Sequence, residues 1–85
     1  MDIVLTEASN GPVYLQVRQQ IESRIRDKQL SAGDQLPSPA VLAQKLAVDK
    51  GEIQRAYFEL EQAGLVTKKS AKDFLGNAKT TYAVK

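Results

Sequence analysis

The sequence predicts a mainly α fold with a small β-hairpin: a winged helix-turn-helix of three helices and a two- to three-stranded wing. Three observations carry this. First, Gln35–Val66 (QLPSPAVLAQKLAVDKGEIQRAYFELEQAGLV) reads as two short helices around a tight turn, then a reversal into a strand. That is the layout by which small proteins place a helix in the DNA major groove. Second, an amphipathic stretch precedes it and two β-prone segments follow it. Third, charge is uneven: the last 21 residues hold five lysines against one acid, while the rest is slightly acidic. A basic end suits a polyanionic partner.

Taken in order, Asp2–Ala8 has a β-prone apolar run at Ile3, Val4 and Leu5, so residues 1–11 are expected to form a short strand or extended arm ending in the turn cluster Ser9–Pro12. From Pro12 to Lys28 the period changes. Tyr14, Val17, Ile21 and Ile25 recur every three or four residues, which predicts a first helix over 12–28 with Pro12 in its first turn. Gln29–Asp34 is a turn, with Leu30 tucked back towards the core.

The second helix is expected over 38–47. Ser38 can accept from the free N–H groups of its first turn, and Leu42, Ala43 and Leu46 form its buried stripe. Asp49 and Glu52 fit a reciprocal capping box for a third helix over 50–62, lined by Ile53, Ala56, Tyr57 and Leu60 and closed by Gly64. Residues 65–85 are expected to form the wing, with strands Leu65–Lys69 and Thr80–Val84 around a Ser70–Lys79 loop holding Gly76-Asn77. The 85 residues make one domain, without repeats or linkers.

The chain has no cysteine and no histidine. That removes disulfides, soft-metal sites and the usual near-neutral proton shuttle. No nucleophile–base pair, metal cluster or glycine-rich phosphate loop stands out, so an enzyme is not expected, nor a metal or any other cofactor. No run approaches a membrane span, and no signal peptide opens the chain, so the expected location is the cytoplasm with no membrane partner.

Four motifs carry a family resemblance. They are P-V-Y-x-Q-V-x-x-x-I at Pro12–Ile21, L-S-x-G-D-x-L-P-S at Leu30–Ser38, L-A-x-x-L-x-V at Leu42–Val48 and A-Y-x-x-L-x-x-x-G-L-V at Ala56–Val66. Over residues 2–69 the chain resembles the winged-helix domain of the GntR family of bacterial transcription regulators, most closely its YtrA and MocR branches. The resemblance implies a dimer that binds operator DNA, with the third helix in the major groove and the wing near the minor groove.

The departures from that pattern cluster where DNA would be gripped. Ala40 stands where the family places a phosphate-gripping Arg, and Asp49, Lys50 and Glu52 replace the Ser, Arg and Thr of V-S-R-x-T-V. The G-x-G-T/F-V wing pattern gives way to Lys72–Asn77. A helix N-terminus attracts phosphate through its free N–H groups and dipole. Two carboxylates there are expected to repel it, although Glu52 can also accept from a cytosine amino group. With Ile53 as the centre of the buried side, Phe58 falls about 140° away, near the outward face with Gly51, Arg55 and Gln62. Ala40, Val41 and Phe58 make this surface more apolar than the family's, unless Phe58 packs under the wing or the first helix.

Two functional readings follow. In the first, the protein is a DNA-binding transcriptional regulator. Ser38, Lys50, Gln54, Arg55, Lys68, Lys69, Lys72 and Lys79 form its DNA surface, with Gln54 and Arg55 reading adenine and guanine edges and the hairpin lysines gripping phosphates. Double-stranded DNA is the partner, and the basic hairpin supplies more of the affinity than usual. A homodimer is expected through the N-terminal arm and first helix, with Leu15 a contact. In the second, the winged helix is a protein-interaction or oligomerisation module that has lost sequence-specific DNA binding and uses Val41 and Phe58 on the face of the second and third helices. The 85 residues are not expected to include an effector domain, which fits either a DNA-binding part of a longer chain or a stand-alone small protein.

Overall fold

The apolar spacing read from the sequence is realised in three helices and a small antiparallel sheet. In this computed structural model, which describes residues 3–5, 11–72 and 74–85, the order is α1 (Val13–Arg26), β1 (Gln35–Leu36), α2 (Pro39–Leu46), α3 (Lys50–Gln62), β2 (Val66–Lys72) and β3 (Ala78–Val84). The sheet order is β1-β3-β2, with both pairs antiparallel. Among the described residues no helix is long and apolar enough to cross a membrane.

Each helix ends for a local reason. In α1, Val17 and Ile21 are fully buried, while Tyr14 and Ile25 are half-buried at the ends of the same stripe. Pro12 is its N-cap. The helix closes after Arg26 because Lys28 turns to φ 63°, letting the Gln29 and Leu30 N–H groups donate back to the Arg24 carbonyl. The Ser38 hydroxyl caps α2, accepting the Val41 N–H at 3.2 Å, and Pro39 follows at the first helical position. Ala47, at φ 55° and ψ 46°, ends α2 in the left-handed conformation that usually selects glycine. Gly64 does the same for α3 at φ 78°, and the Leu65 N–H donates to the Leu60 carbonyl.

The capping box expected at Asp49 and Glu52 is not formed. Asp49 is the N-cap of α3 but makes no side-chain cap bond, and the Glu52 N–H donates to the Asp49 backbone carbonyl instead. The Glu52 carboxylate has turned away to a partner on α1, described below.

The third strand is not the N-terminal segment. Ile3–Leu5 lies outside the sheet, and Asp2 and residues 6–8 of the expected strand or extended arm lie outside the described residues. Ile3 is buried in the core, and the Gln20 side-chain amide holds Val4 by both backbone groups: Val4 N–H donates to Oε1 at 2.9 Å, and Nε2 donates to the Val4 carbonyl at 2.6 Å. A side chain thus satisfies what a strand partner would have satisfied.

The edge of β3 is taken by β1, and the L-S-x-G-D motif puts it there. Gly33, at φ 92°, donates to the Val84 carbonyl, the Val84 N–H donates to the Asp34 carbonyl, both at 2.8 Å, and the Asp34 carboxylate accepts the Ser31 N–H. The hairpin is longer than the sequence suggested. Pairing continues through Ser70↔Thr80 and Ala71↔Lys79 to Lys72↔Ala78, so residues read as loop are strand.

The core joins all layers. Ile53, Ala56, Tyr57 and Leu60 of α3 meet Val17 and Ile21 of α1, Leu42 of α2, and Val66, Tyr82 and Val84 of the sheet. Burying each large apolar side chain contributes about 1.5–3 kcal/mol. The Tyr57 and Tyr82 rings meet edge-on at 4.9 Å.

Candidate nucleic-acid interface

With one face of α3 committed to the core, its two flanks have different partners. One flank is clamped to α1. Glu52 Oε2 accepts the Tyr14 N–H at 3.0 Å, an otherwise free donor in the first turn of α1. Glu59 pairs with Arg18 at 2.6 Å and with Arg55 at 3.4 Å, and the Arg55 guanidinium lies 3.9 Å over the Tyr14 ring. The expectation that Glu52 would confront a phosphate is therefore corrected: its carboxylate stabilises the positive end of α1. Arg55, taken from the sequence as a base reader, sits on this α1 side, in contact with Tyr14 and Glu59.

The other flank is open and basic. Lys50 and Gln54 of α3 line one shallow depression with Ser38 and Ala40 at the start of α2 and with Lys68 and Lys79 of the wing. Lys69 and Lys72 are exposed further along β2. Strand alternation puts Lys72 on the face of Lys68 and Lys69 on the other. The Ser38 oxygen is engaged as a cap, which leaves its O–H free to donate towards an anion. Asp49 stays exposed beside Lys50 at the N-terminus of α3.

Val41 and Phe58 are 48% and 57% exposed, so Phe58 does not pack under the wing or α1. Val41 lines an adjoining depression with Leu36 of β1, Pro37 and Lys79 of β3. Leu15 is half-buried on α1.

Sequence reasoning missed the tie between the two helices of the motif. The buried Tyr57 hydroxyl donates to the Pro37 carbonyl at 2.8 Å, fixing the lead-in to α2 against α3. Burial, with Tyr82 adding to it, raises the Tyr57 phenol pKa far above its ordinary value and keeps the donor protonated. The available signal was a tyrosine, rather than a phenylalanine, on the buried stripe, since a buried hydroxyl needs a partner.

A third helix that shares an open, lysine-lined face with a β-hairpin defines a winged helix-turn-helix of the DNA-binding class. A sequence model described as "Bacterial regulatory proteins, gntR family" matches residues 13–73, and the chain belongs to that family. It is 43% identical over 58 residues to the HTH-type transcriptional regulator YhcF of Bacillus subtilis, covering 68% of this chain and 48% of YhcF. It is 32% identical over 81 residues to the HTH-type transcriptional repressor YtrA of the same organism, covering 93% of this chain and 62% of that one. The chain therefore spans about half of YhcF and under two thirds of YtrA. Among solved structures it is similar to YtrA from Sulfolobus acidocaldarius, a GntR-family transcription factor, with TM-score 0.80 and 30% identity over 99% of this chain and 81% of that one. A transcriptional regulator from Oenococcus oeni superposes with TM-score 0.67 and 29% identity, covering 98% of this chain and 61% of that one.

Proposed function

We propose that this chain is the operator-binding domain of a cytoplasmic transcriptional regulator, without catalytic activity of its own, working as a homodimer on double-stranded DNA. The observation that carries this is the convergence of Lys50, Gln54, Lys68 and Lys79 on one concave face while Glu52 and Glu59 are turned towards α1. Gln54 reads a base edge in the major groove, adenine being its natural partner. Lys50 and the hairpin lysines neutralise phosphates, and Ser38 donates to another. Arg55 belongs to this surface only if it leaves the Tyr14 ring. The N-terminal segment and α1, with Leu15, form the dimer surface.

Unbiased selection from a random duplex pool, followed by anisotropy titrations at several salt concentrations, tests the reading. Five lysines per protomer on phosphates give a slope of log K on log salt of about −4.5 per protomer. No affinity for any duplex at low salt would reject it.

A second reading, a protein-interaction or oligomerisation module, rests on the exposure of Val41 and Phe58 on the helix-turn-helix. Phe58→Asp separates the two. In the DNA reading it weakens DNA binding by adding negative charge and leaves the mass by light scattering unchanged. In the second reading it dissociates the complex.

A further inference from the structure

The most exposed apolar side chains among the described residues are at the wing tip. Phe74 is 96% exposed and Leu75 70%, adjacent in the turn between β2 and β3. Neither side chain belongs to the core cluster, and adjacent exposed large apolar side chains mark a contact surface. In the sequence they follow Lys72-Asp73 and precede Lys79, with Lys68 and Lys69 nearer the body, so the hairpin holds four lysines against one acid. An apolar point on a basic stalk matches one partner chemistry well, the stacked base pairs inside a phosphate-lined groove.

The reach fits. Among the described residues the hairpin is packed at its base: Val66, Tyr82 and Val84 are buried, whereas Lys68 to Lys72 and Ala78 to Thr80 are exposed. Beyond Lys68, which shares the depression with Lys50 and Gln54, the strand runs four residues before the turn. At ~3.3 Å per residue, the tip stands ~13–20 Å beyond Lys68 along the hairpin. A major groove and the next minor groove are half a helical turn apart, ~17 Å.

We propose that Phe74 and Leu75 form a wedge that enters the minor groove beside the site read by α3 and partly unstacks one base step, bending the duplex. This rests on the DNA-binding reading and adds to it a deformation-based specificity. Apolar wedges of this kind kink DNA by about 20–90°. Pyrimidine–purine steps unstack most readily, so selected sites carry such a step about half a turn from the bases contacted by α3.

The test uses a selected duplex, wild-type protein and the double variant Phe74→Ser/Leu75→Ser, with affinity read by anisotropy and bend angle by end-to-end energy transfer between dyes. Both residues are exposed, so the variant keeps its melting temperature. The expected result is a bent duplex with the wild type and, with the variant, roughly tenfold weaker binding and a nearly straight duplex. Equal affinity and equal bend for the two proteins would overturn the wedge and leave DNA binding standing. If neither protein binds DNA, both readings fall.

Discussion

The carboxylate of Glu52 accepts the backbone N–H of Tyr14 at 3.0 Å, joining the first turn of α3 to the first turn of α1. An acidic side chain in the first turn of one helix is thereby placed on the positive end of another. The bond is partly buried and charge-assisted, so Glu52→Ala is expected to destabilise the fold by about 1–2 kcal/mol in a denaturant melt. Because the carboxylate faces α1, Glu52→Gln is expected to change DNA affinity by no more than about twofold. A tenfold gain would show that Glu52 confronts the DNA after all.

Asp49 has no such partner. It lies exposed at the N-terminus of α3, beside Lys50, and makes no cap bond. Asp49→Ser removes a negative charge from the place where a phosphate would meet the helix dipole and supplies a hydroxyl that can cap. We expect DNA affinity to rise about three- to tenfold at low salt, with a melting temperature close to that of the native protein. The gain should shrink as salt is added.

Ala47 ends α2 at φ 55° with its side chain exposed. A left-handed non-glycine residue costs roughly 1 kcal/mol, and no packing is lost on removing this methyl. Ala47→Gly is therefore expected to stabilise the protein by about 0.5–1 kcal/mol, a rise of roughly 2–8 °C in Tm. A fall in Tm would mean that the added freedom of the unfolded chain outweighs the relieved strain.

Tyr57 gives a stability change with a pH signature. Its folded-state phenol pKa lies above the ordinary 10.0 because burial disfavours the phenolate. Below pH 10 both states hold the proton and stability is unaffected. Above it the unfolded chain releases the proton first, so stability falls as pH rises towards the folded value. Tyr57→Phe leaves the Pro37 carbonyl without its donor and is expected to cost about 1–2 kcal/mol at neutral pH. It should also flatten the alkaline loss expected in urea melts between pH 9 and pH 11.

What the sequence disclosed, and what it did not, divides by the range of the interaction. The stripes Val17/Ile21 and Ile53/Ala56/Tyr57/Leu60, the Ser38 cap and the Gly64 stop are local, and periodicity and capping chemistry reveal them. The strand at Gln35–Leu36 is two residues long and exists only because Gly33 and Asp34 fasten it to Val84, a contact about fifty residues away. Asp49 and Glu52 satisfied a local capping rule, yet a distant N–H on α1 bound the Glu52 carboxylate instead. At the candidate interface, residue types were legible but flanks were not. The wheel set Arg55 on the outward side, but the Tyr14 ring and Glu59 draw it towards α1, while Lys50 and Gln54 open on the wing.

That split between flanks makes the lysines separable by salt. Lys68 and Lys79 share the depression with Gln54, so in the proposed complex both lie against phosphates of the site that α3 reads. Lys45 lies exposed in the last turn of α2 and is not among the residues lining that depression. Each phosphate contact removed lowers the magnitude of the salt slope by about 0.9 and weakens binding to all duplexes alike. Lys68→Ala and Lys79→Ala should each do this, while Gln54→Ala should leave the slope unchanged and relax the preference at one base pair. Lys45→Ala is the control and should do neither. If Lys68→Ala/Lys79→Ala keeps the native slope in anisotropy titrations between 50 and 200 mM salt (about a Debye length of 14 to 7 Å), the wing does not touch the DNA backbone. The wing's assigned share of the affinity would then have to pass to α3 and the start of α2.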